Sequence, residues 1–402
     1  MNAEVVTIGL GYIGLPTSAL IASHGTNVLG VDINQQVVNT INQGKIHIVE
    51  PDLDAIVSKA VSNGFFKAST KPTSADVYLI VVPTPFKGNH EPDISFVEAA
   101  TKGIIPLLKK GDLYIIESTS PIGTTEKMQK LIFDLRPELQ GNIYIAYCPE
   151  RVLPGNIMYE LVENDRVIGG VDEDSTQKAI LFYQKYVKGM LHATNARTAE
   201  MCKLVENSSR DVQIAFANEL SLICDKANIN VWELISLANK HPRVNILQPG
   251  CGVGGHCIAV DPYFIASDYP KESKIILKAR EINNFKALWS IEKIINKIHE
   301  YQQDNNAKPK IALLGLSFKA NIDDLRESPA EYIVSELHKK YDNQLINVVE
   351  PNINKHKNFN IVSLEFAMKN SDLFFVLVGH DEFKGIEKLI NYSKFYSFIS
   401  ND

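Results

Sequence analysis

The sequence predicts an α/β protein in three parts: a doubly wound first half, a helical middle and a smaller α/β domain at the C-terminal end. Three observations carry that reading. Short β-branched runs alternate with amphipathic stretches through the first half. Apolar residues then recur at helical spacing from Arg197 to His299, with no good strand among them. A second strand–helix alternation begins after Pro309. Alternation of this kind builds a parallel sheet with helices on both faces.

Taken in order, Val5–Ile8, Val28–Val31, Val77–Val82, Leu113–Glu117 and Ile143–Tyr147 read as strands, with helices at Leu15–His24, Gln35–Gln43 and Ser95–Lys109. The middle is helical through Ala199–Val205, Val212–Ala227, Val231–Ala238 and Ile275–Ile298. Tyr301–Lys308 (YQQDNNAK) is polar and runs into a proline, the pattern of a linker. Beyond it, Lys310–Leu314, Ile346–Val349 and Leu373–Val378 read as strands and Pro329–Lys340 as a helix. The expected domains are therefore 1–196, 197–300 and 301–402, a division that suits 402 residues.

Composition narrows the function. Hydrophobic residues make up 45% and charged residues 22%, the balance of a protein that buries ordinary cores. The 47 acidic side chains outnumber the 41 basic ones, giving a formal charge of −6, which disfavours a nucleic-acid partner. No apolar run is long enough to span a bilayer, and the N-terminal residues enter a strand pattern without a signal-like segment. The five cysteines are odd in number and form no CxxC pair. A disulfide framework or a structural metal site is not expected, and a reducing, cytoplasmic setting is.

The chemistry starts at Gly9, Gly11 and Gly14, a GxGxxG turn directly after a strand and at the mouth of a helix. The first glycine permits the tight turn, the second admits a pyrophosphate, the third lets helix pack on strand, and the helix N-terminus faces the phosphates. Asp32 ends the next strand, 18 residues beyond Gly14, where a carboxylate accepts from a ribose diol and repels a 2′-phosphate. A Rossmann domain that binds NAD is the expectation, with Tyr12 and Ile13 inside the turn. Two later strands run into VPTP (Pro83, Thr84) and ESTSPIGTT (Thr119), at the sheet edge where such folds bind ligands. Glu150 follows another strand in CPER; a lone Glu there is usually a solvated loop residue, but this edge makes it a candidate for ordering water. Lys203 and Asn207 are four apart and share a helix face, although an exposed Lys on a helix is ordinarily only a solvated charge. Gly250, Gly252, Gly254 and Gly255 crowd before His256 and Cys257, with Asp261 four residues on. So glycine-rich a turn presents Cys257 as a reactive thiol, whereas Cys148, Cys202 and Cys224 read as buried and inert.

Several motifs in order, GLGYIGLP, VPTP, ESTSPIGTT, CPERVLPG, RTAEMCKLVEN, GVGGHCIAVD and FKANIDDLRESP, resemble the UDP-glucose/GDP-mannose dehydrogenase family over essentially the whole chain. IHIVEPDL, PERVLPG and HPRVN look like its branch acting on UDP-N-acetylhexosamines. The resemblance implies a helical dimerisation segment in the middle and a Rossmann-like UDP-binding domain at the end. It implies a twofold, NAD-dependent oxidation at C6, with UDP-N-acetyl-D-mannosamine the expected substrate and a bacterial surface polysaccharide the destination. Cys257 would hold the intermediate covalently, Lys203 would stabilise the oxyanion, and Asn207 would contact it or the sugar. Asp261 and Thr119 would position water or relay protons, and Glu150 would assist hydrolysis. Arg151, Leu153, His256, Phe318 and Lys319 are carried over as substrate contacts, and Pro83, Thr84, Thr119 and Arg326 as NAD contacts. Arg243 would reach the substrate from the neighbouring subunit of a homodimer. Two features depart from the family pattern. Cys251 stands where a proline is usual, six residues before Cys257, and could pair with it under oxidation. The chain also closes at Ser397–Asp402 without the usual acidic motif, so a short or irregular last strand is expected.

Other readings make different demands. A UDP-N-acetyl-D-glucosamine 6-dehydrogenase would use the same residues on another sugar. A β-hydroxyacid dehydrogenase of the 6-phosphogluconate type would need neither Cys257 nor a second α/β domain. A catalytically inactive nucleotide-sugar or NAD-binding regulator would not be expected to keep Lys203, Cys257 and Asp261 together.

Overall fold

A computed structural model describes residues 2–88, 90–153, 155–255 and 257–400, so the role expected of His256 lies outside the described residues. The chain separates into two compact units, Met1–Val205 and Glu206–Asp402.

The first unit is built on an eight-stranded sheet. Its strands are β1 (Val5–Ile8), β2 (Val28–Val31), β3 (Phe66–Ser69), β4 (Val77–Ile80), β7 (Leu113–Ile116), β8 (Tyr144–Tyr147), β9 (Arg166–Gly170) and β10 (Leu191–Asn195), with a small hairpin of β5 (Phe86–Lys87) and β6 (Glu91–Pro92) between β4 and β7. Across the sheet the order is β10-β9-β8-β7-β4-β1-β2-β3. The helices are α1 (Gly14–Ser23), α2 (Gln35–Asn42), α3 (Leu53–Ser62), α4 (Ser95–Ile104), α5 (Thr124–Leu135), α6 (Ile157–Glu163) and α7 (Glu173–Tyr183). Alternate strand residues feed opposite cores: Val5, Leu79 and Ile115 pack on one face, Val6, Tyr78 and Tyr114 on the other. That two-sided burial is why the strands read as continuous apolar runs rather than alternating ones.

The five expected strands pair in parallel, and the sheet extends beyond them with β3, β9 and β10, which were not expected. β9 runs antiparallel to β8, with Tyr147 opposite Gly169, and β10 runs parallel to β9. An antiparallel neighbour needs no crossover over the sheet, and the seven-residue α6 lies in this shorter return. The helix expected over Ser95–Lys109 stops at Ile104, because Pro106 lies in the 3₁₀ turn that follows.

In the second unit, helices precede a four-stranded parallel sheet. α8 (Ala196–Ala227) enters from the first unit and is followed by α9 (Val231–Ala238), α10 (Asp261–Asp268) and α11 (Lys274–Asn305). The sheet contains β11 (Ile311–Leu314), β12 (Ile346–Val349), β13 (Leu373–Val376) and β14 (Phe395–Ser397), in the order β12-β11-β13-β14, with α12 (Pro329–Lys340) and α13 (Leu364–Asn370). The linker expected at Tyr301–Lys308 is mostly the last turns of α11, which Asn306 ends in the left-handed conformation (φ 51°). The closing strand is short, three residues paired with β13.

Candidate active site

Both sheets place a positive-φ glycine after their first strand and an acid after the second. Gly9 follows β1 with φ +97°, and Asp32 follows β2 and accepts from the Leu10 amide at 3.1 Å. Gly315 follows β11 with φ +99°, and Glu350 follows β12 and accepts from the Leu316 amide at 2.7 Å. Only the first copy is built for a dinucleotide. A Cβ on Gly14 would lie 1.9 Å from the Gly9 carbonyl oxygen, whereas one on Gly11 would meet nothing within 4 Å. The turn therefore packs where helix meets strand and stays open where a phosphate must approach. No side chain caps α1; the Leu15 amide donates to the Gly11 carbonyl at 3.1 Å, that of Thr17 to the Ile13 carbonyl at 3.0 Å, and Pro16 carries no N–H. The other Asp32 oxygen accepts from the Asn34 amide at 2.9 Å, and β1 lies between β4 and β2, the switch point of the strand order. Tyr12 is exposed and Ile13 half-buried in the same turn. These features fit NAD.

The neighbouring strand ends are stitched together. Thr84 donates its hydroxyl to the Thr119 carbonyl at 2.6 Å, and Ser118 donates to that of Val82 at 2.7 Å. Thr119 is half-buried and Pro83 exposed. Two acids that sequence reasoning passed over hold the adjoining motifs. Glu200 of RTAEM accepts from the Gly123 amide at 2.5 Å and the Thr125 amide at 2.8 Å, closing the N-terminus of α5. Glu50 of IHIVEPDL accepts from Gly155 and Ile157, fastening the start of α6 to the CPERVLPG loop. Arg151 and Leu153 on that loop are exposed. Glu150 is not: it is buried and ion-paired with Arg166, which is buried as well.

Most of the remaining expected residues lie in the second unit, whereas Lys203 belongs to the first. Asp261 is buried at the first position of α10; its carboxylate accepts from Asn207 of α8 at 2.5 Å, and its amide donates to the Cys257 carbonyl at 2.8 Å. Lys203 lies one turn earlier on α8, half-buried. Cys257 is partly exposed, in contrast to Cys148, Cys224 and Cys251, which are buried; Cys202 is partly exposed, against expectation. Burial pushes the Cys251 thiol up to about 12, and it sits in the C-terminal core. The glycine turn leans on the FKANIDDLRESP segment: a Cβ on Gly254 would come within 2.7 Å of Phe318, and the Gly255 amide donates to the Arg326 carbonyl. Here close packing, as much as conformational freedom, requires glycine. The turn's other end is held by polar groups not singled out in the sequence. Asn218 accepts from the Gly250 amide and donates to Asn283, which donates to Asp211, the ion-pair partner of Arg280.

Lys319 and Arg243 are exposed, and the Arg326 guanidinium pairs with Asp324. The Lys319 loop is anchored from below. His380, fully buried, accepts from the Asn321 amide at Nδ1 and donates through Nε2 to Glu350 at 3.1 Å, while Ser317 donates to the Lys319 carbonyl. Among the described residues, no group of His, Cys, Asp or Glu is placed to hold a metal ion.

Comparison with known proteins decides the family. The NAD-binding, central and UDP-binding domain models of the UDP-glucose/GDP-mannose dehydrogenase family match residues 3–187, 197–285 and 312–399. The chain belongs to that family. It is therefore an NAD-dependent UDP-sugar dehydrogenase, with an N-terminal NAD-binding domain and a C-terminal UDP-binding domain. It is 55% identical to a UDP-N-acetyl-D-mannosamine dehydrogenase of Campylobacter jejuni over 396 residues, 94% of this chain and 96% of the other. It is 53% identical to the enzyme of that name from Escherichia coli K12 over 400 residues, 96% and 95% of the two chains. Among solved structures, a UDP-D-ManNAc dehydrogenase from Pyrococcus horikoshii matches with a TM-score of 0.88 at 38% identity, covering 99% of this chain and 96% of that one.

Proposed function

We propose that this dehydrogenase oxidises UDP-N-acetyl-D-mannosamine at C6 to the uronate. The observation that carries the reading is the glycine-rich turn that presents Cys257 beside an Asp261 bonded to Asn207, in a chain at least half identical to enzymes named for that substrate. The overall change takes one alcohol, two NAD⁺ and one water to one carboxylate, two NADH and three protons. NAD supplies the hydride acceptor; the remaining work falls to side chains. Because one NAD accepts only one hydride, the aldehyde formed first must be held, and Cys257 does so by adding its sulfur to C6. Loss of the second hydride leaves a thioester, and water cleaves it to the carboxylate and the free thiol. Lys203 and Asn207 stabilise the oxygen anion at C6, the kind of preorganised help that usually counts most. Asp261 and Thr119 hold water or pass protons, and Glu150 assists hydrolysis. Gly9, Gly11, Tyr12, Ile13, Gly14, Asp32, Pro83, Thr84, Thr119 and Arg326 hold the NAD, while Arg151, Leu153, Phe318 and Lys319 hold the nucleotide sugar.

The same reading takes the chain as three domains, 1–196, 197–300 and 301–402, working in the cytoplasm as a homodimer to which Arg243 contributes across the interface. Five free cysteines suit a reducing compartment, and among the described residues no helix is long and apolar enough to cross a membrane. The product would enter a surface polysaccharide. Offered UDP-N-acetylmannosamine, UDP-N-acetylglucosamine and UDP-glucose in turn, the protein should consume the first preferentially and release two NADH per sugar. One NADH per sugar, or equal use of all three, would overturn this assignment. Cys257→Ser should lose at least about a thousandfold in kcat while retaining NAD affinity.

A further inference from the structure

The mechanism above leaves the buried carboxyl of Glu117 unused. Glu117, the last residue before Ser118 and Thr119, is 3% exposed, and its neighbours Glu150, Arg166 and Tyr183 are 7%, 5% and 2% exposed. One oxygen of Glu117 accepts from the Tyr183 hydroxyl at 2.6 Å; the other has no hydrogen-bond partner. Arg166 is ion-paired with Glu150, donates to the Leu161 carbonyl at 3.2 Å, and stacks on the Tyr183 ring 4.8 Å from its centroid. Among the described residues, the other titratable group against the cluster is Cys148, 3.9 Å from Arg166, with a thiol pushed up to about 12 by burial.

Charge counting then constrains the protons. Two carboxyls share one guanidinium, which does not deprotonate in proteins. A dry interior penalises a second uncompensated negative charge, so one carboxyl stays neutral. Arg166 is committed to Glu150, which leaves the proton to Glu117. We propose that Glu117 is a positioning residue that holds a proton in the working enzyme, keeping Arg166 on Glu150 and Glu150 ready for the hydrolytic step. The proposal rests on the role given to Glu150 above. Burial, with the Glu150 charge adding to it, raises the Glu117 carboxyl to about 7. Above that pH Glu117 ionises and competes for Arg166, so the setting of Glu150 changes.

Glu117→Gln tests the idea because it keeps an acceptor for Tyr183 and cannot ionise. The folded wild type holds this proton up to about pH 7, whereas an unfolded Glu releases it near the ordinary value. Proton binding therefore favours the folded wild type at low pH, and that advantage disappears as pH rises to about 7. The melting temperature of Glu117→Gln minus that of the wild type should accordingly rise between about pH 5 and about pH 8, by roughly 2 °C or more. The variant-to-wild-type ratio of kcat should also change about threefold or more across neutrality. A melting-temperature difference independent of pH overturns the protonation itself, whether or not any sugar is turned over. A flat kcat ratio with the expected melting behaviour overturns the link to Glu150. Should the Gln variant fail to fold, Tyr183→Phe removes the donor that favours ionised Glu117 and must move the wild-type transition to higher pH; an unmoved midpoint overturns the proposal.

Discussion

Gly14 meets the carbonyl oxygen of Gly9 at a distance no side chain tolerates, and Gly11, three positions away, meets nothing. The difference separates a packing requirement from a binding one within a single turn. Gly14→Ala should push α1 off β1 and cost both stability and cofactor: NAD titration should show at least tenfold weaker binding, with a melting temperature lowered by several degrees. An alanine variant that binds NAD normally would mean the turn opens more readily than its geometry implies. Cys257 stands partly exposed in the glycine turn, its carbonyl accepting from the Asp261 amide. Glu150 is the opposite case. From its neighbours in sequence it reads as a loop residue at the sheet edge, yet it is buried against Arg166, 16 positions away on β9. No periodicity announces that partner, because β9 joins the sheet antiparallel.

Between elements, much of what the motifs preserve is backbone satisfaction. Glu200 and Glu50 each fill orphan amides at a helix start, and neither sits where a local capping pattern would reveal it. In the C-terminal sheet, Glu350 does for the Lys319 loop what Asp32 does for the NAD turn, but it is sealed by His380. Burial alone would raise this carboxyl; bonds from His380 and from the Asn352 and Leu316 amides outweigh it and hold it at about 2. The sign of the pH effect follows. The stabilisation is present above the ordinary carboxylate value and is lost as pH falls toward about 2, amounting to on the order of 3 kcal/mol. Acid unfolding followed by circular dichroism should show this loss below about pH 4.5 in the wild type. Glu350→Gln should already be destabilised at neutral pH and should lose less on acidification. Equal acid sensitivity in both would remove Glu350 from the account.

For the whole molecule, the −6 charge and the anionic ligands are compatible. The net charge describes the far field, whereas Lys203, Arg243, Lys319 and Arg326 are local cations on an acidic chain. The long helices also leave apolar side chains in solvent: Phe216 and Ile223 on α8, one heptad apart, and Phe285 and Leu288 on α11. Long helices with such exposed side chains suit the proposed homodimer. Sedimentation should find a dimer, and Phe216→Glu combined with Ile223→Glu should shift it to a monomer with reduced turnover. A wild type that sediments as a monomer at micromolar concentration would discard the dimer and the role given to Arg243.

The sequence by itself determined the class of sheet, the NAD turn, the Cys257 turn and the family, because each rests on local signals: glycines at fixed spacing, β-branched runs and ordered motifs. Only the tertiary structure decided that β9 turns back, that α11 absorbs the expected linker, and that Glu150, Glu200, Glu350 and Asp211 are each bound to a partner distant in sequence. Those outcomes depend on which buried polar groups find one another, and a chain read one window at a time does not contain that pairing. The glycine turn at Cys257 joins both kinds of evidence: its composition marked a candidate site, and Phe318, 61 residues on, explains why the glycines must be there.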